Sequence, residues 1–205
     1  MFVCVNCGLV HELGEHGFTT FLPHTAAITT RLAYAGDVQY IAVWRVAATI
    51  DAGPLSPWER IKKTAGSRTP YVFVPAFSLA RMVMQRLGAS LTEAQLDLQL
   101  TEGLLAAPLQ APALVTDDPT IDEAALGPGF GSISPVLVGR KDAATLAHFV
   151  YLAVESYDKR ELHSVDYQLE VTGEDLVFLP AVWDPRQVYE SNWRLLLREF
   201  DGLVA

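Results

Sequence analysis

A near-repeat of a five-residue apolar segment is the feature that most constrains the fold. Residues 72–76 read Val-Phe-Val-Pro-Ala, and residues 177–181 read Val-Phe-Leu-Pro-Ala. Short runs of β-branched and aromatic residues predict buried β-strands. Proline cannot donate a hydrogen bond to a neighbouring strand, so Pro75 and Pro180 are expected at a strand end, a bulge or an edge. The sequence therefore predicts a strand of this kind used twice, either within one sheet or in two related halves.

Alternating apolar and polar residues predict further strands. They lie at residues 38–50, 165–171, 176–183 and 193–199. Thr-Gly-Glu-Asp at residues 172–175 predicts a turn between two of them, so the C-terminal part is expected to be an antiparallel meander.

Three helices are predicted from capping residues and apolar periodicity. One covers residues 58–64 after Ser56 and Pro57, and one runs from a Ser78 cap to about residue 87, with Gly88 as its stop. The third covers residues 143–156 and carries an apolar stripe. We predict an α+β fold, in which a small N-terminal zinc-ribbon-like element precedes a mostly antiparallel sheet packed by two or three helices.

Composition divides the chain into four predicted segments. Residues 88–139 contain seven Asp and Glu residues and no Lys or Arg, and they are rich in proline and alanine. Such a stretch is either an arm that lies on a partner or a surface loop packed on its own domain. The predicted segments are a knuckle at 1–24, a first α+β half at 25–100, an acidic Pro/Ala-rich arm or linker at 101–139, and a helix plus antiparallel meander at 140–205.

The overall charge restricts the class of partner. The 205 residues carry a formal net charge of -9, which disfavours nucleic acid as a ligand because a phosphate backbone attracts a cationic face. The first residues lack the charged and apolar regions of a signal peptide, and no run is long enough for a spanning helix. A C-x-x-C pair without an export signal fits a reducing compartment, so we predict a cytoplasmic protein.

The N-terminus contains half of a zinc knuckle. In Cys4-Val5-Asn6-Cys7-Gly8, two thiolates could hold a metal, while the glycine permits a tight turn. A closed zinc site needs four ligands, and the second cysteine pair is absent. Histidines could complete the set, and the predicted ligands are Cys4, Cys7, His11 and His24, with His16 as an alternative. A ribbon that has lost its metal and a reduced dithiol without a ligand role fit the same pattern.

The order of these parts resembles a group of uncharacterised bacterial proteins that begin with a zinc-ribbon C-x-x-C-G knuckle and continue with aromatic, proline-containing strands. The resemblance rests on the knuckle and on residues 40–45, 72–77, 142–147 and 177–183. It implies the architecture above and a role in an assembly, and it implies no reaction. The missing second cysteine pair departs from the family pattern.

The sequence favours a non-enzymatic accessory or adaptor subunit of a cytoplasmic assembly. Four tryptophans, the repeated aromatic strands and the segregated acidic arm are typical of a protein that binds a protein partner, and an oligomer is compatible with them. No Ser-His-Asp, Cys-His or paired-carboxylate arrangement occurs in a recognisable context, which weighs against an enzyme.

Two alternatives follow from smaller sets of residues. A small enzyme or small-molecule binder would place its site between the central strands and the helix at residues 143–156, using His148, Tyr151 and Arg45. A nucleic-acid binder would use the basic cluster around Lys62 and Lys63, although such a cluster is more typical of a solvated helix face.

Overall fold

The computed structural model describes residues 1–4, 9–14, 17–25, 38–77, 79–101, 104–106, 132–157, 165–183 and 193–195. These residues form three helices and two sheets, which confirms the predicted α+β class. The helices are α1 (Pro57–Ala65), α2 (Arg81–Ala94) and α3 (Arg140–Tyr157). The strands are β1 (Phe2–Val3), β2 (Val10–Gly14), β3 (Gly17–Phe21), β4 (His24–Thr25), β5 (Val38–Ala52), β6 (Tyr71–Pro75), β7 (Leu105–Ala106), β8 (Ser132–Ile133), β9 (Tyr167–Trp183) and β10 (Trp193–Leu195). Within the described residues, no helix is both long and apolar enough to cross a membrane.

The two repeated segments lie on either side of β5 in one seven-stranded sheet. Its order is β6-β5-β9-β4-β7, with β8 paired to β5 and β10 paired to β9. Val43 pairs with Pro75 on one side and with Val177 on the other. Pro75 is the last residue of β6, as predicted. Pro180 lies inside β9 opposite Tyr40, between the residues that pair with β4 and those that pair with β10.

The turn predicted at residues 172–175 is wrong, because β9 is a single strand of 17 residues. It follows the 15-residue strand β5 on both sides of this point. Ala47 pairs with Gly173 and Ala48 pairs with Val171, so Thr172 is an extra residue in β9. The Thr-Gly-Glu-Asp sequence therefore forms a β-bulge and not a turn.

The helix stop predicted at Gly88 is also wrong, because α2 continues to Ala94. A Cβ atom at Gly88 would lie 2.6 Å from the carbonyl oxygen of Phe73 and 2.8 Å from a methyl carbon of Val150. The glycine therefore lets α2 approach β6 and α3 closely. The predicted cap residue, Ser78, is outside the described residues.

The α1 and α3 helices confirm the prediction. In α1, Ser56 Oγ accepts a hydrogen bond from the Trp58 amide at 3.0 Å and Pro57 occupies the first helical position, as a serine cap followed by proline requires.

The large sheet is covered on both faces. Tyr40, Trp44 and Val46 of β5 pack with side chains of α1 and α3, including Trp58 and Tyr151. The alternate residues of β5 pack on the opposite face with apolar side chains from α2, from β10 and from the segment after α2; these are Leu87, Leu91, Leu98, Leu100 and Leu195. Helix α2 also covers the outer edge of β6, where Thr92 Oγ1 accepts a hydrogen bond from the Phe73 amide at 3.0 Å.

Candidate functional site

The small sheet, β1-β2-β3, exposes apolar side chains on one face. Leu13 of β2 lies directly opposite Phe18 of β3, and each residue is 67% exposed. Side chains alternate between faces along a strand, so His11 and Thr20 lie on the same face as this pair. Thr20 Oγ1 is 3.0 Å from His11 Nδ1. We refer to the surface formed by His11, Leu13, Phe18 and Thr20 as the outer face.

The opposite face of the small sheet packs on the large sheet. Val10 and Phe21 are cross-strand partners, and Val10 is completely buried in the core that contains Trp44. Phe21 and Val3 pack against the same core. The apolar outer face is therefore presented by a sheet that is attached to the main body, and it is not a free hairpin.

Arg140, the first residue of α3, fixes this attachment with charge as well as packing. Its Nη1 donates a hydrogen bond to the Glu174 carbonyl oxygen at 2.9 Å, and its Nε lies 3.4 Å from a Glu12 carboxylate oxygen. The guanidinium carbon is 5.3 Å from the ring centroids of both Phe21 and Trp44, within the range of cation–π attraction. One side chain thus connects β2, β3, β5 and β9.

Of the three predicted zinc ligands within the described residues, Cys4 and His11 are neighbours and His24 lies elsewhere. Cys4 directly follows β1, in which Phe2 pairs with His11, so Cys4 and His11 are diagonal neighbours. His24 lies instead in β4 of the large sheet, opposite Val177. Cys7 and the alternative ligand, His16, are outside the described residues. Among the described residues, no three His, Cys, Asp or Glu side chains are close enough together to hold a metal ion.

His24 lies near two charged residues of the large sheet, Arg45 and Asp175. Burial lowers the pKa of His24 below its ordinary value; the Asp175 carboxylate opposes this effect and the Arg45 guanidinium adds to it. Arg45 Nη2 donates a hydrogen bond to an Asp175 carboxylate oxygen at 2.9 Å. The Arg45 guanidinium carbon also lies 4.6 Å from the centroid of the Tyr71 ring. Arg45 and Asp175 therefore form an ion pair. The lowered pKa of His24 beside this pair favours the neutral form of the imidazole.

The three residues predicted for an enzyme or small-molecule site are not assembled into one site. Arg45 shares its face of the sheet with Phe73 and Asp175, whereas Tyr151 packs in the core on the opposite face. His148 Nδ1 is 3.4 Å from the Tyr167 hydroxyl, on the Tyr151 side of the sheet. The large sheet therefore separates Arg45 from the other two residues.

A buried polar cluster around Tyr151 was missed by the sequence interpretation. Tyr151 is completely buried, and its hydroxyl donates a hydrogen bond to Glu155 Oε1 at 2.7 Å. Ser56 Oγ donates to the same carboxylate oxygen. Burial raises the pKa of Tyr151 well above its ordinary value. Because Tyr151 and Glu155 are one helical turn apart, their spacing is visible in the sequence, but the burial of a carboxylate on the apolar stripe is not.

The basic cluster lies on the solvent side of α1. Trp58 and Ile61 face the core, while Arg60 and Lys63 are exposed. Lys62 forms an ion pair with Glu59. This arrangement is that of an amphipathic surface helix.

Comparison of the chain with protein-family models, with curated proteins and with solved structures found no match.

Proposed function

We propose that this protein is a non-enzymatic accessory or adaptor subunit that binds a protein partner through the outer face of its small sheet. The observation that carries the proposal is the cross-strand pair Leu13–Phe18, in which both side chains are 67% exposed. Aromatic residues are enriched in protein interfaces, and a buried aromatic anchor commonly dominates their binding energy.

The attachment of the small sheet supports this role. A docking surface binds more tightly when it is already ordered, because less conformational entropy is lost on association. Val10 is completely buried, and Arg140 contacts both β2 and β3 of the small sheet through Glu12 and Phe21. The exposed pair is therefore held in place by the core before any partner arrives.

The alternative function, an enzyme or a small-molecule binder, receives less support from the geometry. Its predicted residues lie on opposite faces of the large sheet, and the Tyr151 hydroxyl is already engaged by Glu155 inside the core.

Zinc remains a proposal for the N-terminal knuckle. Cys4, Cys7 and His11 are the candidate ligands within this part of the chain, and a bound ion would stabilise the segment that joins β1 to β2. His24 lies in the large sheet, so the alternative ligand His16 is the candidate for the fourth position of a closed site. Elemental analysis of the purified chain should give one zinc per protein and none after Cys4→Ser; a metal-free wild-type chain purified without chelators would end this proposal.

The proposed function is tested by affinity purification of the tagged protein from its own host at native expression, followed by quantitative mass spectrometry. The test variant is Leu13→Ser with Phe18→Ser. The matched control is Leu137→Ser, which also removes an exposed leucine, 61% accessible, but lies outside the small sheet. Both variants should retain the melting temperature of the wild type within a few degrees.

We expect a stoichiometric partner that is recovered with the wild type and with the control. Loss of an interface hot spot costs at least about 2 kcal/mol, which corresponds to roughly 30-fold weaker binding by the double variant. Equal recovery with the double variant, or recovery of the wild type alone, would contradict the proposal.

A further inference from the structure

We propose that the partner binds by strand addition, contributing an extended segment that pairs with β3 as a fourth strand of the small sheet. This inference rests on the proposed function and specifies its mode. β3 is the terminal strand of the order β1-β2-β3, and no described strand pairs with it on the side away from β2. Residues 17–20 are all exposed.

The hydrogen-bond pattern shows which backbone groups face the open edge. In an antiparallel sheet, successive residues of a strand direct their N–H and C=O groups to opposite neighbours. The Cys4 amide donates a hydrogen bond to the Leu9 carbonyl oxygen at 2.9 Å. The backbone N–H and C=O groups of residues 9, 11 and 13 therefore point to the β1 side of β2. The backbone groups of residues 10, 12 and 14 then point toward β3, where their hydrogen-bonded partners are residues 21, 19 and 17. The N–H and C=O of Thr20 therefore point away from β2, toward the open edge.

The composition of β3 leaves this edge receptive. Natural edge strands are commonly protected against pairing by lysine, by proline, by a bulge or by a covering element. β3 reads Gly-Phe-Thr-Thr-Phe, which contains no charged residue and no proline and is rich in residues that favour strands. The β6 edge of the large sheet, by contrast, is covered by Thr92 of α2 and by Gln95, the residue that follows α2. Within the described residues, the β6 edge is therefore covered, whereas no strand pairs with the outer edge of β3.

The geometry of the attachment disfavours a second copy of this chain as the occupant. Antiparallel pairing of two β3 strands would place the two main bodies on the same side of a continuous sheet. The two β2 strands would be three strand spacings apart, about 14 Å. A compact chain of this length has a radius of gyration of about 17 Å, so two bodies centred beneath Val10 and Phe21 would overlap. A single extended segment meets no such obstacle.

The outer face and the charge define the chemistry of this segment. Every second side chain of an added strand would lie on the outer face beside Phe18, so apolar residues are expected at those positions. The whole chain carries a net charge of -9, which attracts a cationic segment. Lysine or arginine is therefore expected at the intervening positions. The inferred ligand is an extended peptide segment of alternating apolar and basic residues.

The probe for this inference is a fluorescein-labelled peptide of alternating valine and lysine, about nine residues long to match a strand. Its controls are the same peptide with glutamate in place of lysine and one with a central proline. Binding is measured by fluorescence anisotropy to the wild type and to two variants at one position. Thr20→Pro removes the outward N–H, whereas Thr20→Val keeps it and removes only the hydroxyl that contacts His11.

We expect the lysine peptide to bind the wild type, and to bind Thr20→Pro at least about tenfold more weakly. It should bind Thr20→Val at least as tightly as the wild type, because this variant keeps the outward N–H and adds a methyl group to the outer face. The glutamate and proline peptides should bind weakly or not at all. If Thr20→Pro unfolds the small sheet, hydrogen exchange of the Thr20 amide in the wild type decides, since an added strand must slow it.

Three results would overturn strand addition. The first is equal binding of the peptide to Thr20→Pro and Thr20→Val, combined with loss of binding to the Leu13→Ser, Phe18→Ser variant. That result would reject strand addition but would still support binding through the outer face. The second is no binding of the peptide to the wild type at millimolar concentration, even where a natural partner is captured. The third is a concentration-dependent dimer of the wild type that Thr20→Pro abolishes, since that would make a second copy the occupant.

Discussion

The Gln95 side chain makes two hydrogen bonds with the backbone of Tyr71. Its Nε2 donates to the Tyr71 carbonyl oxygen at 3.1 Å, and its Oε1 accepts from the Tyr71 amide at 2.8 Å. A primary amide carries the same donor and acceptor as a peptide group, so Gln95 replaces the neighbouring strand that β6 lacks at this position. Thr92 does the same for the Phe73 amide. The outer edge of the large sheet is thereby satisfied from within the chain.

Replacing Gln95 with alanine should destabilise the protein substantially. Gln95 is completely buried, so the variant leaves a backbone N–H and a C=O of Tyr71 without their partner. We expect a loss of about 2 to 3 kcal/mol in the free energy of unfolding, measured with urea. Gln85→Ala, the same deletion at a partly exposed position of α2, is the control and should change stability by less than about 0.5 kcal/mol. Equal effects would show that the two hydrogen bonds matter little.

Gly88→Ala should also be destabilising, although alanine normally favours a helix by about 1 kcal/mol over glycine. The new Cβ would lie 2.6 Å from the Phe73 carbonyl oxygen, which is backbone and cannot move without shifting β6. Overpacking of this kind costs about 1 to 3 kcal/mol and outweighs the helix preference. Gly53→Ala is the control, because a Cβ at Gly53 meets no atom within 4 Å. A more stable Gly88→Ala protein in thermal unfolding would refute the close approach.

The errors of sequence interpretation arise where tertiary contacts reverse a local signal. Gly88 has the chemistry of a helix stop, and the Thr-Gly-Glu-Asp sequence has that of a turn. Each signal concerns only adjacent residues, whereas α2 continues because it packs on β6 and α3, and β9 continues because β5 pairs with it over its whole length. Helix α1 was predictable from its serine cap and proline, and helix α3 from its apolar stripe, because these signals are local.

The candidate surface was only partly predictable for a related reason. Apolar and polar residues alternate only weakly in β2 and β3. The pairing of Leu13 with Phe18 depends on the register of the two strands, whose adjacent pair is Gly14 with Gly17. The sequence indicates a partner through its aromatic residues and charge, but it directs attention to the acidic arm and the knuckle. Which aromatic residues are buried and which are exposed is decided by the contact of Phe21 and Arg140 with the large sheet.

Arg140→Lys should loosen the small sheet while the large sheet stays protected. Lysine keeps the charge but loses the planar guanidinium that lies beside Phe21 and Trp44 and bonds the Glu174 carbonyl. We expect amides of β2 and β3 to exchange about tenfold faster in hydrogen-exchange mass spectrometry, and those of β5 to be unchanged. Lys141→Arg controls for a change of basic side chain at the neighbouring exposed position. Uniformly faster exchange would mean that Arg140 stabilises the whole fold and not this attachment.

Acidification should destabilise the protein through His24. Burial lowers its pKa in the folded state, so the unfolded chain takes up the proton first as the pH falls below about 6.5. The contribution of His24 to the free energy of unfolding is fully present above its unfolded-state pKa. It is lost as the pH falls through its folded-state pKa. His24→Gln should flatten this part of the stability curve. Asp175→Asn should lower the His24 pKa further in an NMR titration, since the Asp175 carboxylate favours the charged form; a rise would contradict the assigned cause.

Alkaline pH should destabilise the protein through buried tyrosines, with Tyr40 as the clearest case. Tyr40 is 4% exposed, and burial raises its pKa to about 12 from the ordinary 10.0. The unfolded chain therefore loses its tyrosine protons first, and the stability that is present below pH 10 is lost as the pH rises toward 12. Two pKa units correspond to about 2.7 kcal/mol, which is an upper value for this side chain.

Tyr40→Phe has no proton to lose, so its unfolding free energy should decline less than that of the wild type over this range. Tyr71→Phe, at a partly exposed ring, is the matched control. Parallel stability curves for the wild type and Tyr40→Phe would show that Tyr40 ionises as readily in the folded protein as in the unfolded chain.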